Sequence, residues 1–481
     1  MEYYIKTFGC QMNVSDSERI ATSLEEQGFL PCEEIKAADL VIFNTCGVKQ
    51  TAENRAYSLI NNLRKTEKAS HLKAKNYLPT GQAGKLKAIV MTGCLANRPD
   101  VQKRMKGKVN LFTEIKNFPQ DFENWLIENS LEIGNLPCRQ TGWKLEIPQK
   151  NNLPLNKEEI SYLSITPKHK NSFEAYVPIM TGCNNFCSYC VVPNARGREV
   201  SRSAEEIVDE VKDLVVKGYK NIILLGQNVN SYHGIWNAEC ETKNSKIKEK
   251  IITFPMLLKK INAIPGNFWI QFVSSHPKDM SDELIETIAK SKKVCENVHL
   301  PLQAGDNEIL RLMNRKYNQK HYLDLIKKIK KAFEKNKPGK LFSISSDIIV
   351  GFPGETRSQF LQSAEVMEKA EFDMVFFGQF SPRPETTAWK MKDNVSQKEK
   401  ARREKYLNEI LKKTAFENNQ RYLNEIVEVL VDQKKGNFYL GKTRTLKNVK
   451  IASDKKNLIG KIVKVKIIKA NVWNLEGSLV N

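Results

Sequence analysis

Three cysteines lie close together in Cys183-Asn-Asn-Phe-Cys187-Ser-Tyr-Cys190. The Cys-x3-Cys-x2-Cys spacing offers three thiolates to one metal centre and leaves a four-coordinate centre one ligand short. A structural zinc site closes its tetrahedron with four ligands. Here no fourth Cys or His is close, and the nearest downstream histidine is His233. An iron–sulfur cluster on three thiolates, with one iron left open, fits the spacing better, and chemistry happens at the open iron. Three unrelated loop cysteines are the plainer alternative, and the spacing argues against them.

Three further cysteines follow short apolar runs, in Phe8-Gly9-Cys10, Asn44-Thr45-Cys46 and Thr92-Gly93-Cys94. The runs Tyr3–Thr7, Leu40–Thr45 and Ala88–Thr92 read as strands. Ser15–Gln27 and Thr51–Arg64 read as helices between them, so residues 1–140 are expected to form an open parallel α/β domain. In such a sheet the carboxyl ends of the strands share one edge, where ligands bind. Three thiols distant in sequence would meet there as a second metal site. Buried structural cysteines are the alternative, but burial alone gives no reason for the same strand-end position three times.

The first triplet needs its own support. Residues 141–172 are Asn-, Lys- and Pro-rich and read as a linker. From Phe173 to about Arg403, strands alternate with helices: Tyr176–Ile179, Asn221–Gly226, Trp269–Phe272, Asn297–Leu302, Ser346–Val350 and Met374–Phe377 are the strands. Six such repeats predict a partial (β/α)6 barrel over residues 173–410, with functional residues on the loops after the strands. Gly226, Gln227, Asn228, Ser275, Gln303 and Asp347 fall at these ends and are expected to contact a cofactor or substrate. Arg196, Arg198 and Arg202 follow the cysteine loop and are expected to meet phosphate. Polar stretches at 65–87 and 239–252 read as surface excursions. Cys32, Cys138, Cys240 and Cys295 stand outside these patterns and read as structural.

Residues 419–481 carry 13 basic and 5 acidic residues in short alternating segments. Ile426–Val431, Phe438–Gly441, Leu458–Ile468 and Leu475–Val480 are expected to form a small antiparallel barrel. In Val463-Lys464-Val465-Lys466-Ile467 the lysines face outward, which suits contacts to an RNA backbone. The whole chain has a formal charge of +21, which favours a polyanionic partner. Ten dispersed cysteines, an opening without signal-peptide pattern and no apolar run of membrane-spanning length together predict a reducing, cytoplasmic setting without a membrane partner.

An open iron can chelate an amine and a carboxylate, a pair that S-adenosylmethionine carries. Reductive cleavage of the sulfonium bond would then release a carbon radical. The Cys183 motif resembles the signature of the radical S-adenosylmethionine superfamily, and Cys183–Arg202 as a whole resembles its methylthiotransferases. Thr7-Phe8-Gly9-Cys10-Gln11-Met12-Asn13 is similar to the branch that acts on isopentenylated adenosine in tRNA. Asn44-Thr45-Cys46, Thr92-Gly93-Cys94-Leu95-Ala96, Leu225–Asn230, His299–Gly305, Asp347–Thr356 and Phe380–Pro384 continue the likeness, and the C-terminal segment resembles a TRAM domain. Ser15 and Asn194 stand where an aromatic residue is expected.

The resemblance implies two 4Fe-4S clusters, an auxiliary one on Cys10, Cys46 and Cys94 and a radical one on Cys183, Cys187 and Cys190. It implies S-adenosylmethionine as cofactor, the tRNA anticodon stem-loop as partner, and an electron donor of unknown identity. The adenosyl radical would take hydrogen from C2 of N6-isopentenyladenosine at tRNA position 37, and a methylthio group would be installed there. Sister enzymes acting on threonylcarbamoyladenosine or on a ribosomal protein aspartate have different residues around the first cysteine. A non-catalytic zinc protein that binds RNA is the reading from another class.

Overall fold

The computed structural model describes residues 1–47, 50–74, 88–129, 161–238 and 248–480. They fall into two compact units: Met1–Lys170 with Val191–Val200, and Asn171–Cys190 with Ser201–Asn481.

The first unit contains β1 (Glu2–Thr7), α1 (Gln11–Glu26), β2 (Leu30–Pro31), β3 (Leu40–Thr45), α2 (Gln50–Ala74), β4 (Ala88–Gly93), α3 (Pro99–Met105), β5 (Leu111–Phe112) and α4 (Phe118–Glu128). All five strands are parallel, in the order β2-β1-β3-β4-β5. Leu40–Phe43 and Ala88–Met91 are continuous apolar runs because helices cover both faces of the sheet. Leu40, Ile42, Ala88 and Val90 pack with Ile20 and Leu24 of α1 and with Phe118 and Phe122 of α4. Val41, Phe43, Ile89 and Met91 pack with Tyr57 and Ile60 of α2 and with Val101 and Met105 of α3. Each of these buried aliphatic or aromatic side chains contributes roughly 1.5–3 kcal/mol. The strand order reverses between β1 and β3, so their carboxyl ends border the crevice where such sheets bind ligands.

In the second unit the barrel strands are β6 (Glu174–Pro178), β7 (Asn221–Leu225), β8 (Trp269–Phe272), β9 (Asn297–His299), β10 (Ser343–Val350) and β11 (Met374–Gln379). Parallel pairing runs β6-β7-β8, then β9-β10-β11. A parallel bridge from Ile270 to Val294 joins the two halves into a six-stranded partial barrel. The outer helices are α5 (Ala204–Val216), α6 (Phe254–Ala263), α7 (Asp282–Lys290), α8 (Gln319–Asn336), α9 (Arg357–Ala370) and α10 (Gln397–Gln420). Ala175, Ile222, Ile270, Val298, Ile344 and Val375 share one core with their buried faces.

A closed five-stranded barrel follows, with β12 (Ile426–Lys435), β13 (Phe438–Thr443), β14 (Asn448–Ala452), β15 (Ile462–Ala470) and β16 (Leu475–Leu479) in the order β12-β13-β14-β16-β15. Its Leu430 packs with Trp269 and Cys295 at the amino ends of the larger barrel's strands. Arg444 donates to Glu296 at 2.7 Å and to the carbonyl of Val294 at 2.9 Å. Ser343 donates to the Thr445 carbonyl at 2.7 Å.

Several sequence expectations are corrected. The helix predicted to end at Arg64 continues to Ala74, into the first part of the supposed loop, while 75–87 lie outside the described residues. The end of the supposed linker belongs to the first unit: Tyr162 and Leu163 are buried in its core, and His169 contacts Glu18 of α1 at 3.0 Å. Within the charged stretch, Lys248–Thr253 pairs antiparallel with His233–Ala238, and 239–247 lie outside the described residues. The strand expected over Asn297–Leu302 stops at His299. Strand β14 has no clear sequence signal, because Asn448-Val-Lys-Ile-Ala offers only two large apolar residues.

Candidate iron–sulfur and cofactor sites

Cys10 is the N-cap of α1, Cys46 follows β3 and Cys94 follows β4. Their side chains differ in access: Cys10 is exposed, Cys46 and Cys94 are buried. Two glycines let the strand ends approach closely. Gly9 has φ +120°, and a Cβ there would lie 2.6 Å from Cys46 Cβ. At Gly47 a Cβ would lie 3.4 Å from Cys94 Cβ. Only glycine tolerates the first position, where backbone angle and space both exclude a side chain.

Side chains stitch the three strand ends to each other. The Asn13 amide donates to Asn44 Oδ1 and to the Thr45 carbonyl, both at 2.9 Å. Asn44 returns a bond to the Asn13 carbonyl at 2.8 Å, and Thr45 Oγ1 donates to the Thr92 carbonyl at 2.6 Å. The Cys94 N–H donates to the Thr45 carbonyl at 2.9 Å. The positive end of α1 also favours an anionic group at Cys10.

Arg196 and Arg202, expected at RNA phosphates, are corrected: both are buried. Arg196 Nη2 donates to Asp16 Oδ2 at 2.7 Å, with side-chain exposures of 3% and 0%. Burial opposes the Arg196 charge, but Asp16, with Cys94 and Tyr162 nearby, holds its pKa well above the ordinary value. Arg202 donates to Glu210 at 2.7 Å and to the Pro178 carbonyl at 2.8 Å. Arg198 is exposed.

In the second unit, Cys183–Cys190 forms the loop after β6, and Phe186 takes φ +48° within it. The turn after the short helix Asn307–Leu312 grips this loop through three consecutive residues. The Met313 carbonyl accepts from the Ser188 N–H at 3.1 Å. Asn314 donates to the Phe186 carbonyl at 2.8 Å, and Arg315 Nη1 donates to Cys187 Sγ at 3.3 Å. Sequence reading assigns no positioning role to Arg315, Asn314, Asn13 or Asp16, whose partners lie far along the chain.

Arg315 is 8% exposed. Its remaining bonds go to Tyr317 Oη at 3.0 Å and to the Pro301 carbonyl at 3.3 Å. Among the described residues no carboxylate pairs with it. Tyr189 and Tyr317 are pushed up by burial and are neutral at pH 7. His276, beside Tyr317, is pushed down to about 2, first by burial and then by Arg315 and Lys278, so it is neutral too. Arg315 thus sets a buried cation against the Cys187 thiol.

Among the described residues no three His, Cys, Asp or Glu side chains converge as ligands of a single ion would. Two sets of three cysteines on separate irons are compatible with that, because a cluster spreads its ligands over several metal atoms.

Around the carboxyl ends of β7 and β8, buried polar atoms lack hydrogen-bond partners: Gln227 Oε1, Asn228 Oδ1, Asn230 Oδ1 and Ser275 Oγ. Unsatisfied groups of this kind take water or a polar ligand as partner, and S-adenosylmethionine offers amine, carboxylate, hydroxyl and adenine groups. The Asn228 amide nitrogen is already committed to Asp279 at 2.7 Å and Ser231 at 2.9 Å. Gly226 has Met180 Cγ 2.5 Å from where a Cβ would stand. Gln303 holds φ +69° while its N–H donates to the Asp347 carbonyl at 2.8 Å. The Asp347 carboxylate lies 3.3 Å from His299 Nε2. Such left-handed non-glycine residues cost about 1–3 kcal/mol and gather at functional sites.

On the small barrel, Lys464 and Lys466 are exposed and alternate with buried Val465 and Ile467. Lys450 Nζ lies 3.8 Å from the ring centre of exposed Phe438, and Trp473 is exposed as well. Cations beside open aromatic faces suit a nucleic acid. Cys295 is buried and its thiol is pushed up to about 12, chiefly by burial, which keeps it an inert structural thiol.

The Radical SAM superfamily profile matches residues 177–367, that of the Uncharacterized protein family UPF0004 residues 2–113, and that of the TRAM domain residues 420–480. Together with the six-stranded partial barrel and its cysteine loop, these matches define a radical SAM enzyme carrying a TRAM barrel. Three proteins named tRNA-2-methylthio-N(6)-dimethylallyladenosine synthase are each 39% identical to this chain. The one from Clostridium botulinum (strain Okra / Type B1) aligns over 99% of this chain and 96% of its own length. That of Thermoanaerobacter pseudethanolicus covers 99% and 92%, and that of Finegoldia magna 100% and 94%. The chain belongs to the tRNA-2-methylthio-N(6)-dimethylallyladenosine synthase family.

Proposed function

We propose that this chain is a radical SAM methylthiotransferase that converts N6-isopentenyladenosine at position 37 of tRNA into its 2-methylthio derivative. The observation that carries this reading is full-length identity of 39% to enzymes of that name, joined to two cysteine triplets placed at strand ends. Two 4Fe-4S clusters and S-adenosylmethionine are its cofactors. Cys10, Cys46 and Cys94 would hold the auxiliary cluster, and Cys183, Cys187 and Cys190 the radical cluster. When bound, the radical cluster supplies the electron that cleaves S-adenosylmethionine and yields a carbon radical.

The protein's own residues set the stage for that chemistry. Asn13, Asn44 and Thr45 fix three sulfur ligands by fixing the strands that bear them. Met313, Asn314 and Arg315 hold the radical loop in one conformation. Gln227, Asn228 and Ser275 offer unused hydrogen-bonding atoms to the cofactor, and Gly226, Gln303 and Asp347 shape the strand ends around it. Lys464, Lys466 and exposed Arg198 supply positive charge for the RNA backbone. In this reading residues 1–140 present sulfur, 173–410 carry out the radical chemistry and 419–481 grip the tRNA. The partner is the anticodon stem-loop, the electron comes from a separate cytoplasmic reductant, and the setting is the cytoplasm. Among the described residues no helix is long and apolar enough to cross a membrane.

Anaerobic reconstitution should give about eight irons per chain, as two four-iron clusters require. Bulk tRNA from a strain lacking the gene, digested and profiled by mass spectrometry, should contain isopentenyladenosine without its methylthio group. Unchanged methylthio content in that strain would refute the assignment.

A further inference from the structure

The turn Met313-Asn314-Arg315 belongs to no cysteine motif, yet each of its residues touches the loop that carries Cys183, Cys187 and Cys190. Two of the three contacts are made to backbone and fix its shape. The third places a guanidinium against a sulfur. Burying that guanidinium is costly without a fixed anion, and among the described residues it has no carboxylate partner. Its neighbours Tyr317 and His276 are both neutral at pH 7. The planar fork is held on three sides, by Tyr317 Oη, by the Pro301 carbonyl and by Cys187 Sγ. Tyr317 is itself anchored, donating to the Leu302 carbonyl at 2.6 Å. The charge is therefore rigidly placed and points at one ligand of the open cluster.

We propose that Arg315 is a positioning residue for the radical cluster: its buried charge, delivered through Cys187 Sγ, raises the cluster's reduction potential and eases the electron's entry. The inference rests on the cluster assignment to Cys183, Cys187 and Cys190. A cation near a cluster stabilises the form with one more electron, and hydrogen bonds to cluster sulfurs tune potential in the same direction. Arginine suits the position better than lysine because its fork can bond sulfur, hydroxyl and carbonyl at once. A residue that merely filled space here would need no charge.

The two roles part on substitution. The parent for the test is the full-length chain with Cys10, Cys46 and Cys94 changed to alanine, so that one cluster remains. After anaerobic reconstitution its midpoint potential is read by electron paramagnetic resonance. Arg315→Met should shift the midpoint to more negative values, and Arg315→Lys should bring it back toward the parent. Arg311→Met, in an exposed pair with Glu308, should leave it in place. In the cluster-free chain Arg315→Met should leave hydrogen-exchange protection of the β9 and β10 amides equal or higher, because an uncompensated buried charge has gone. Failure of Arg315→Met to take up iron where Arg315→Lys succeeds also supports the role of charge. An unchanged potential in Arg315→Met, reduced protection of those amides without the cluster, or failure of both variants to take up iron would overturn the inference. A parent that binds no iron would overturn the cluster assignment first, and the inference with it.

Discussion

Arg196 lies next to the cysteine motif in sequence, where an RNA contact was expected, and is instead spent on Asp16. Replacing it with methionine leaves the Asp16 carboxylate fully buried, with Oδ1 already lacking a hydrogen-bond partner among the described residues. Losing a charge-assisted hydrogen bond alone costs about 1.5–3 kcal/mol. Stranding the buried partner brings the total to about 3–5 kcal/mol, or roughly two to four decades in the opening equilibrium at 1.4 kcal/mol per decade. Because the protein has two units, a single global midpoint would mix their transitions. Hydrogen exchange of the α1 amides in the cluster-free chain reads the first unit directly. Arg196→Met should lower their protection by that amount, and adding Asp16→Leu should recover most of it, since an apolar pair of similar volume is neutral or better. The slope of log affinity for tRNA against log salt should not move, because no phosphate contact is removed. A loss below about 1 kcal/mol together with a slope shallower by about one unit would place Arg196 at the RNA and refute the argument.

Other outcomes follow from the same geometry. Gly9→Ala puts a methyl group 2.6 Å from Cys46 Cβ at a backbone angle hostile to alanine, so reconstituted iron should fall from about eight to about four per chain; full iron content would contradict the packing. His276 has a folded pKa near 2 against an ordinary 6.5, so the unfolded chain binds the extra proton and stability drops as pH falls below about 6.5. At pH 5 the loss in the cluster-free chain is about 2 kcal/mol, and His276→Gln should remove that loss when urea titrations at about pH 5 and about pH 8 are compared. Lys464→Gln and Lys466→Gln should each make the salt dependence of tRNA binding shallower by about one unit, with the methylthiolation product unchanged; an unaltered slope would move the RNA to another face.

Much of this was legible in sequence, for identifiable reasons. Leu40–Phe43 and Ala88–Met91 announce buried parallel strands because nothing but burial on both faces explains uninterrupted apolar runs. The cysteines at their ends could be read from position alone. Lys464 and Lys466 alternate with valine and isoleucine, and the structure places them outward. What stayed hidden depends on partners remote in sequence. Arg196 and Arg202 look like surface cations until Asp16 and Glu210 are seen beside them. Arg315 carries no local signal, since Cys187 lies 128 residues away. The hairpin containing Lys248–Thr253 was masked by its charges.

The small barrel seated on the amino ends of the larger barrel's strands has a consequence for how tRNA is handled. Trp269, Cys295 and Leu430 share an apolar contact, and Arg444 is bonded to Glu296 and two further carbonyls. RNA bound at Lys464 and Lys466 would thus be held by a surface with no slack toward the radical barrel. A flexible tether would dilute the captured base over the volume its linker sweeps. A seated module behaves as a gauge block, fixing the distance from the gripped backbone to the open mouth of the strands. Substrate choice then depends on RNA dimensions as well as base identity: a stem one base pair too long or short would be held firmly and presented in the wrong place.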